Sequence, residues 1–330
     1  MSFPKIPDSI RFSRLLPPTG KVRVVIDTDT YNEIDDQFAV VHALLSPEKI
    51  SVEGLYAAPF YNLRSDSPGQ GMNMSYDEIL RLLERLDVSS SNLAHRGSEG
   101  FLVDYDHPHK SDAVNDLIQR AMSSDTPLYV LAIGALTNIA SAILIEPRII
   151  EKIVLVWLGG NAFHWPDTVE FNLAGDVAAS RLIFDCGVPL VLIPCRGVTT
   201  HLRSTVSEIE LYVQGKGAIG DYLAETFKSY NEDHFAWSKE IWDEVVIAYL
   251  LNSEWVPSNI VSSPIITQRT PDEVRNPDPM AWVNHPLTWS FDHSRHQIRC
   301  AYYVKRDPIF RDLFTKLDLW SKGKIQILDS

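Results

Sequence analysis

Continuous apolar runs alternate with segments whose apolar positions recur at helical spacing, and this alternation repeats along most of the chain. KVRVVID is a short run of β-branched residues ending in an acid, the pattern of a strand buried on both faces of a parallel sheet. Asp35 to Leu45 has apolar residues at helical spacing and stops at Ser46-Pro47, which predicts a helix. ISVEGLYAA predicts a second strand, and Ile79, Leu82, Leu83 and Leu86 form one face of a helix in YDEILRLLERLDV. The order continues with SDAVNDLIQRAMSS as helix, PLYVLAIGA as strand and LTNIASAILIEP as helix. KIVLVWLGG then reads as strand, DVAASRLIFDCG as a helix closed by Gly187, and PLVLIPC as strand. Residues 200–252 read as mainly helical, and PLTWSFD with QIRCAYYV as an antiparallel edge hairpin. The pattern predicts an α/β fold: an open, mostly parallel Rossmann-like sheet flanked by helices, with an antiparallel edge near the C-terminus. It occupies a single domain over residues 21–330. Residues 1–20, with Pro4, Pro7, Pro17 and Pro18, are expected to form an extended N-terminal arm.

Composition narrows the function classes. The 330 residues hold 30 Lys and Arg against 43 Asp and Glu, a net charge of −13, which argues against a nucleic-acid partner. No apolar run approaches the ~20 residues that cross a bilayer, and the charged start does not read as a secretory leader. Cys186, Cys195 and Cys300 are odd in number and lack C-x-x-C pairing. They predict reduced thiols in a cytoplasmic protein without a zinc site. The expected partner is a small molecule, with neither nucleic acid nor membrane.

In open parallel sheets, ligands sit outside the carboxyl ends of the strands. The first strand is followed there by DTDTYNEIDD, with Asp27, Asp29, Glu33, Asp35 and Asp36. So many acids repel one another, and a hard divalent cation such as Ca²⁺ or Mg²⁺ resolves the repulsion. The plain alternative is a solvated acidic loop at the next helix N-terminus, where acids are favoured in any case. The number of acids behind a buried strand favours the metal. Haloacid-dehalogenase-like phosphatases also place D-x-D after a first strand, but Tyr31 departs from their pattern and Asp35-Asp36 have no role in it. SPGQGMN lacks both a preceding strand and the Gly-Lys-Ser/Thr ending of a phosphate loop. It reads as an extension of the loop after the second strand, a possible lid near Asn62 and Arg64.

VVIDTDTYNEIDDQFAVVHAL resembles the D-x-D…D-D opening of the inosine–uridine-type nucleoside hydrolase family. The resemblance continues in order. IGALTNIA is similar to that family's G-P-L-T-N segment, WLGG to its M-G-G strand end, VEFNLAGDVAAS to E-F-N…D-P-E-A-A, and WDEVVIAYLL to its H-D-P-x-A-x helix. These pieces run from Val24 to Leu251, about two-thirds of the chain. The resemblance implies calcium-dependent hydrolysis of the N-glycosidic bond of ribonucleosides, giving ribose and a free base, as in purine or pyrimidine salvage. It implies a Ca²⁺ held by Asp29 or Asp27, by Asp36 with Asp35 beside it, by the Ile133 carbonyl and by Asp243. Asp29 would double as the base that activates a metal-bound water. Asn62, Glu170 and Asn172 would contact the sugar, and the chain would assemble as a homodimer or homotetramer. Such a site suits an oxocarbenium-like transition state, because carboxylates stabilise positive charge on the sugar ring.

Two departures stand out. Five residues separate Asp29 from Asp35 where the family has three, so Glu33 could intrude on the metal. The family's His before the helix Asp is Trp242 here. Trp cannot act as an acid but can stack on a base. His234 is the leading replacement for the leaving-group acid, with His107, His109 and His164 behind it. Trp157, Trp165 and Trp237 are further aromatic candidates, more readily explained as core. Loss of the His also leaves open a non-catalytic, or differently specific, Ca²⁺/ribose-binding homologue.

Overall fold

The computed structural model describes residues 3–268 and 287–327. The strands of its first half are β1 (Val22–Thr28), β2 (Ile50–Ala57), β3 (Ala94–His95), β4 (Leu128–Ala132), β5 (Ile153–Leu158) and β6 (Leu190–Ile193). Those of its second half are β7 (Arg203–Thr205), β8 (Ser238–Glu240), β9 (Ser258–Ser262), β10 (Ile265–Gln268), β11 (Leu287–Ser290) and β12 (Gln297–Ala301). The helices begin with α1 (Asp8–Leu15), α2 (Asp35–Leu44), α3 (Pro68–Arg85), α4 (Asp112–Met122), α5 (Thr137–Ile145) and α6 (Phe171–Gly175). They continue with α7 (Val177–Cys186), α8 (Val206–Tyr212), α9 (Gly217–Ser229), α10 (Glu244–Leu251) and α11 (Arg306–Ser321).

Eight strands form the central sheet in the order β3-β2-β1-β4-β5-β6-β12-β9. All neighbours are parallel except β12 and β9. Every residue of β4 and β5 is buried, as expected of strands covered on both faces. The chain moves outward from β1 through β2 to β3, then crosses back to β4 on the other side of β1. That reversal is a topological switch point, and it opens a crevice at the carboxyl ends of β1 and β4. Asp27 pairs in register with Tyr56 on β2 and Ala132 on β4, so the acidic segment begins in that crevice.

Three expectations change. The N-terminal arm is not extended throughout, because Asp8–Leu15 is helical. The Arg11 guanidinium donates to the Gly187 carbonyl at 2.9 Å and the Leu15 carbonyl accepts from Arg299 at 2.5 Å, which fastens α1 to the body. PLTWSFD and QIRCAYYV do not pair with each other. β11 pairs with β10 in a separate ladder, whereas β12 extends the main sheet from β6, and β9 supplies the antiparallel edge. Burial selects this outcome, since Ile298 and Ala301 enter the core. Pro286 and residues 1–2 lie outside the described residues.

The Ser67–Asn73 stretch is not a loop extension but the start of α3. Ser67 caps it by accepting from the Gln70 N–H, and Pro68 occupies the first turn, where its missing N–H has no cost. Gly71 is required because an added Cβ would meet the Phe60 carbonyl oxygen at 2.1 Å. Among the described residues, no helix is long and apolar enough to cross a membrane.

Candidate functional site

Three elements converge on the crevice. β1 runs into Asp29, the N-terminus of α2 carries Asp35 and Asp36, and Asp243 immediately precedes α10. α10 is buried along Glu244–Leu250, and each Val, Ile or Leu it buries contributes about 1.5–3 kcal/mol. That packing fixes where Asp243 points. Carboxylate oxygens of Asp35, Asp36 and Asp243 lie within 4.8 Å of one another, and all three residues are buried. Asp29 and Ile133 line the same cleft, whose volume is about 420 Å³. Asn62, Glu170, Asn172 and Trp242 complete its walls, together with Glu33, Arg64, Arg196 and Tyr230. A groove of about 580 Å³ beside α8 and α11 is larger. It is lined by paired surface charges such as Arg306–Glu208 and Lys216–Asp318, and chemistry rather than size identifies the site.

The electrostatics are those of acids short of positive charge. Burial, then the Asp36 and Asp35 charges, pushes the Asp29 carboxyl well above the ordinary range. Asp36 and Asp243 rise for the same reasons, burial first. Burial lifts Asp35 to about 6 against the opposing charge of Lys239. Asp29 Oδ2 is buried with no hydrogen-bond partner among the described residues. The Thr28 hydroxyl donates to Asp36 Oδ1 at 2.6 Å, and the Trp242 N–H donates to Asp35 Oδ2 at 3.1 Å. An oxygen-rich, buried, unneutralised set of this kind fits a hard divalent cation.

The fit has a consequence for stability. Carboxyls whose folded pKa is raised bind more protons in the native state than in the unfolded one between the two values. The metal-free protein therefore loses stability as pH rises from about 4 toward 7. A divalent cation held by the cluster, at about 100 times its Kd, is expected to restore about 2.7 kcal/mol. Thermal melts from pH 4.5 to 7.5, with chelator or calcium, check this; a calcium effect that does not grow with pH contradicts it.

Asp27 is not brought to the cluster. Its carboxyl does not line the cleft: Oδ2 accepts from Asn138 Nδ2 at 2.9 Å, Oδ1 is buried with no hydrogen-bond partner among the described residues, and burial raises it to about 7. Glu170 lines the cleft but also caps α6: Oε1 accepts from the Asn172 N–H, and Oε2 from the Gly160 and Leu173 N–H groups. Burial raises it to about 7. Asn172 Nδ2 donates to the Leu158 carbonyl at 3.0 Å. Asn62 Nδ2 donates to Asn32 Oδ1 at 2.6 Å, so the longer acidic loop is tied to the loop after β2.

Glu33 does not join the acids. Its carboxylate accepts from Lys239 Nζ at 2.5 Å and from the Tyr230 hydroxyl at 3.1 Å. Lys239 lies 5.6 Å from the centre of the Trp242 ring, so the extra loop residues anchor one cleft wall. Lys239, Tyr230 and Arg196 went unread in the sequence. An uncompensated Glu33 beside a metal cluster was the available signal for Lys239.

None of the candidate histidines lines the cleft. His234 is exposed, its Nε2–H donates to the Lys228 carbonyl at 2.9 Å, and its ring stacks on Trp237. His107 pairs with Asp104 in solvent, and His109 contacts the Phe101 carbonyl. His164 sits against Gly197. Trp157 is fully buried core, Trp165 is partly exposed, and Trp237 packs on Phe227. Trp242 alone among the candidate tryptophans lines the cleft.

Residues 70–305 match the profile of the family described as inosine-uridine preferring nucleoside hydrolase. A pyrimidine-specific ribonucleoside hydrolase, RihB, of Escherichia coli O1:K1 is 29% identical over 151 residues. The match covers 44% of this chain and 48% of that protein, so the chain spans about half the length of this curated relative. Among solved structures, a purine-preferring ribonucleoside hydrolase from Gardnerella vaginalis superposes with a TM-score of 0.67 at 18% identity, over 91% of this chain and 99% of that one. A plant nucleoside hydrolase gives 0.65 at 19% identity, over the same shares. At these identities the structural likeness concerns the fold.

Proposed function

Because the chain belongs to the inosine-uridine preferring nucleoside hydrolase family, we propose that it hydrolyses the N-glycosidic bond of a ribonucleoside, releasing ribose and a free base. The observation that carries this reading is the buried convergence of Asp29, Asp35, Asp36 and Asp243 at the switch point of the sheet. Asp29, Asp36, Asp243 and the Ile133 carbonyl would hold the cation, and calcium suits their all-oxygen donor set. When bound, the cation supplies Lewis acidity toward water and a grip on the ribose diol.

The chain's own groups do the rest. Asp29 presents a buried oxygen without a partner among the described residues, a position suited to a base that takes a proton from water. Asn62 and Asn172 line the cleft and would orient sugar hydroxyls, and orientation converts binding into rate. The acids around the ring stabilise the oxocarbenium-like transition state. Trp242 offers an apolar face to the departing base.

Among the described residues no histidine lines the cleft, and on this reading departure of the base depends on its own acidity. A general acid is worth about 10²–10⁴-fold. p-Nitrophenyl riboside, whose leaving group needs no proton, is therefore expected to exceed inosine and uridine in kcat by about 100-fold or more. Ribose release from these compounds, with and without a calcium chelator, tests both the reaction and the missing acid. Chelator-resistant release would overturn the metal assignment, and equal rates would show that an acid operates.

The same missing histidine supports a second reading, a calcium- and ribose-binding protein without turnover. Calcium-dependent binding of ribose with no release from any riboside would select it.

A further inference from the structure

Two departures from the family pattern, the longer acidic loop and Trp242, meet at one buried amine. Lys239 lies on β8, in register with Ser204 of β7, and is 6% exposed. Its Nζ donates to Glu33 Oε2 at 2.5 Å and to the Glu240 carbonyl at 3.2 Å. The same atom lies 5.1 Å from the centre of the Tyr230 ring and 5.6 Å from that of Trp242. A cation within about 6 Å of a ring centre is attracted to the ring's electrons. One ammonium group thus joins a residue of the longer loop to two rings of the cleft wall.

The two rings depend on it unequally. Tyr230 has supports of its own: its hydroxyl donates to Glu33 at 3.1 Å, and it stacks on Trp237 with the ring planes 21° apart. The Trp242 backbone is tied to Asp35, but its indole Nε1 is buried with no hydrogen-bond partner among the described residues. Packing and Lys239, rather than a hydrogen bond, therefore set the plane of the indole. Glu33, Tyr230 and Trp242 line the cleft and Lys239 does not, so the amine works from behind the wall.

On the hydrolase reading above, the acid cluster takes the sugar, and the aromatic wall is left for the base. We infer that Lys239 is a positioning residue: held by Glu33, it orients Trp242 as a stacking platform for the nucleobase, with Tyr230 braced beside it. Stacking requires an offset, nearly parallel arrangement of rings, so a platform free to tilt holds a base less well. The longer loop and the exchange of His for Trp then form one device, in which Glu33 places the cation that steadies the new ring.

The experiment measures kcat/KM for inosine and uridine, and inhibition by ribose, at saturating calcium. It compares the wild type with Lys239→Met, Lys239→Arg, Trp242→Leu and the double variant Lys239→Met/Trp242→Leu. Lys239→Met is expected to lower kcat/KM for the better riboside by about 3- to 30-fold, the worth of a desolvated cation beside a ring. Ribose inhibition, which reads the sugar end alone, changes by less than about twofold. Lys239→Arg keeps the charge and recovers part of the loss. In the Trp242→Leu background, Lys239→Met costs less than about twofold, because the ring it acts on is gone. Equal losses for riboside and ribose would place the effect on the acid cluster, and additive losses would uncouple Lys239 from Trp242. Either result overturns the proposal while the hydrolase stands. Glu33→Gln, at a side chain 42% exposed, loosens the amine without emptying its buried position, and is expected to show the same pattern more weakly. Wild-type kinetics in Glu33→Gln, beside a Lys239→Met that melts lower, would assign Lys239 to the fold alone. If no riboside is cleaved, calorimetry decides. Inosine binding more tightly than ribose, with the margin lost in Lys239→Met, keeps the platform and removes the hydrolase. A margin that the substitution leaves untouched removes both.

Discussion

Asp29→Asn lowers kcat on p-nitrophenyl riboside by about 10²–10⁴-fold, the span expected when a general base is lost. The substitution is nearly isosteric and takes one charge from a buried cluster whose members raise one another's pKa. The metal-free variant should therefore melt no lower than the wild type. This pairing of a large kinetic loss with unimpaired folding separates a chemical role from a structural one. Steady-state rates and thermal melts on the same preparations check it. A rate within a few fold of wild type would remove Asp29 from the chemistry, and a collapse in melting temperature would make it a structural acid.

The second large effect lies behind the site. His42, on α2, is fully buried, with Nδ1 2.6 Å from Glu244 and Nε2 2.8 Å from Asp312. Burial opposes its charge, but Glu244 and Asp312 override that and raise its pKa above 6.5. Lys316 extends the network from Asp312 to the Ser46 hydroxyl. The imidazolium joins α2, which carries Asp35 and Asp36, to α10, which follows Asp243, and ties both to α11. His42→Leu leaves Glu244 buried without its partner, and breaking a buried pair in this way costs about 3–5 kcal/mol.

The pH dependence follows from the raised value. His42 contributes its full stabilisation below its unfolded pKa of about 6.5, and loses it as pH rises through the higher folded value. Urea unfolding at pH 6 should show the full difference between wild type and His42→Leu, and the gap should narrow toward alkaline pH. A difference below about 1 kcal/mol, or one that widens with pH, would contradict the assignment.

Much of this architecture was legible because it is local. β4 and β5 are buried throughout and β1 from Val24 onward, since both faces of the sheet are covered, and Gly187 takes the left-handed conformation that ends α7. The start of α3 was hidden because Pro-Gly-x-Gly reads as a breaker. Only Ser67 as cap, and the tight approach of Gly71 to Phe60, make it helical. β12 was paired wrongly because its partner, β6, is distant in sequence and is chosen by burial of Ile298.

The site divides in the same way. Asp29, Asp35 and Asp36 lie in one short segment after one strand, so their crowding could be read directly. Family resemblance supplied Asp243, Asn172 and Ile133, which line the same cleft. Lys239 was missed because it meets Glu33 across 206 residues of chain. Arg196 was missed because a single arginine after a strand carries no pattern. The histidines misled for the opposite reason: His234 is near Trp242 in sequence, yet its ring turns to Trp237 and solvent.

The most direct measurement strips the protein with a chelator, then follows ribose release from p-nitrophenyl riboside, uridine and inosine as calcium is titrated back. Turnover is expected to be absent at first and to rise in step with bound calcium, saturating at one ion per chain. Ribose release from the stripped protein, or saturation with calcium and no release from any of the three, would contradict a calcium-dependent riboside hydrolase.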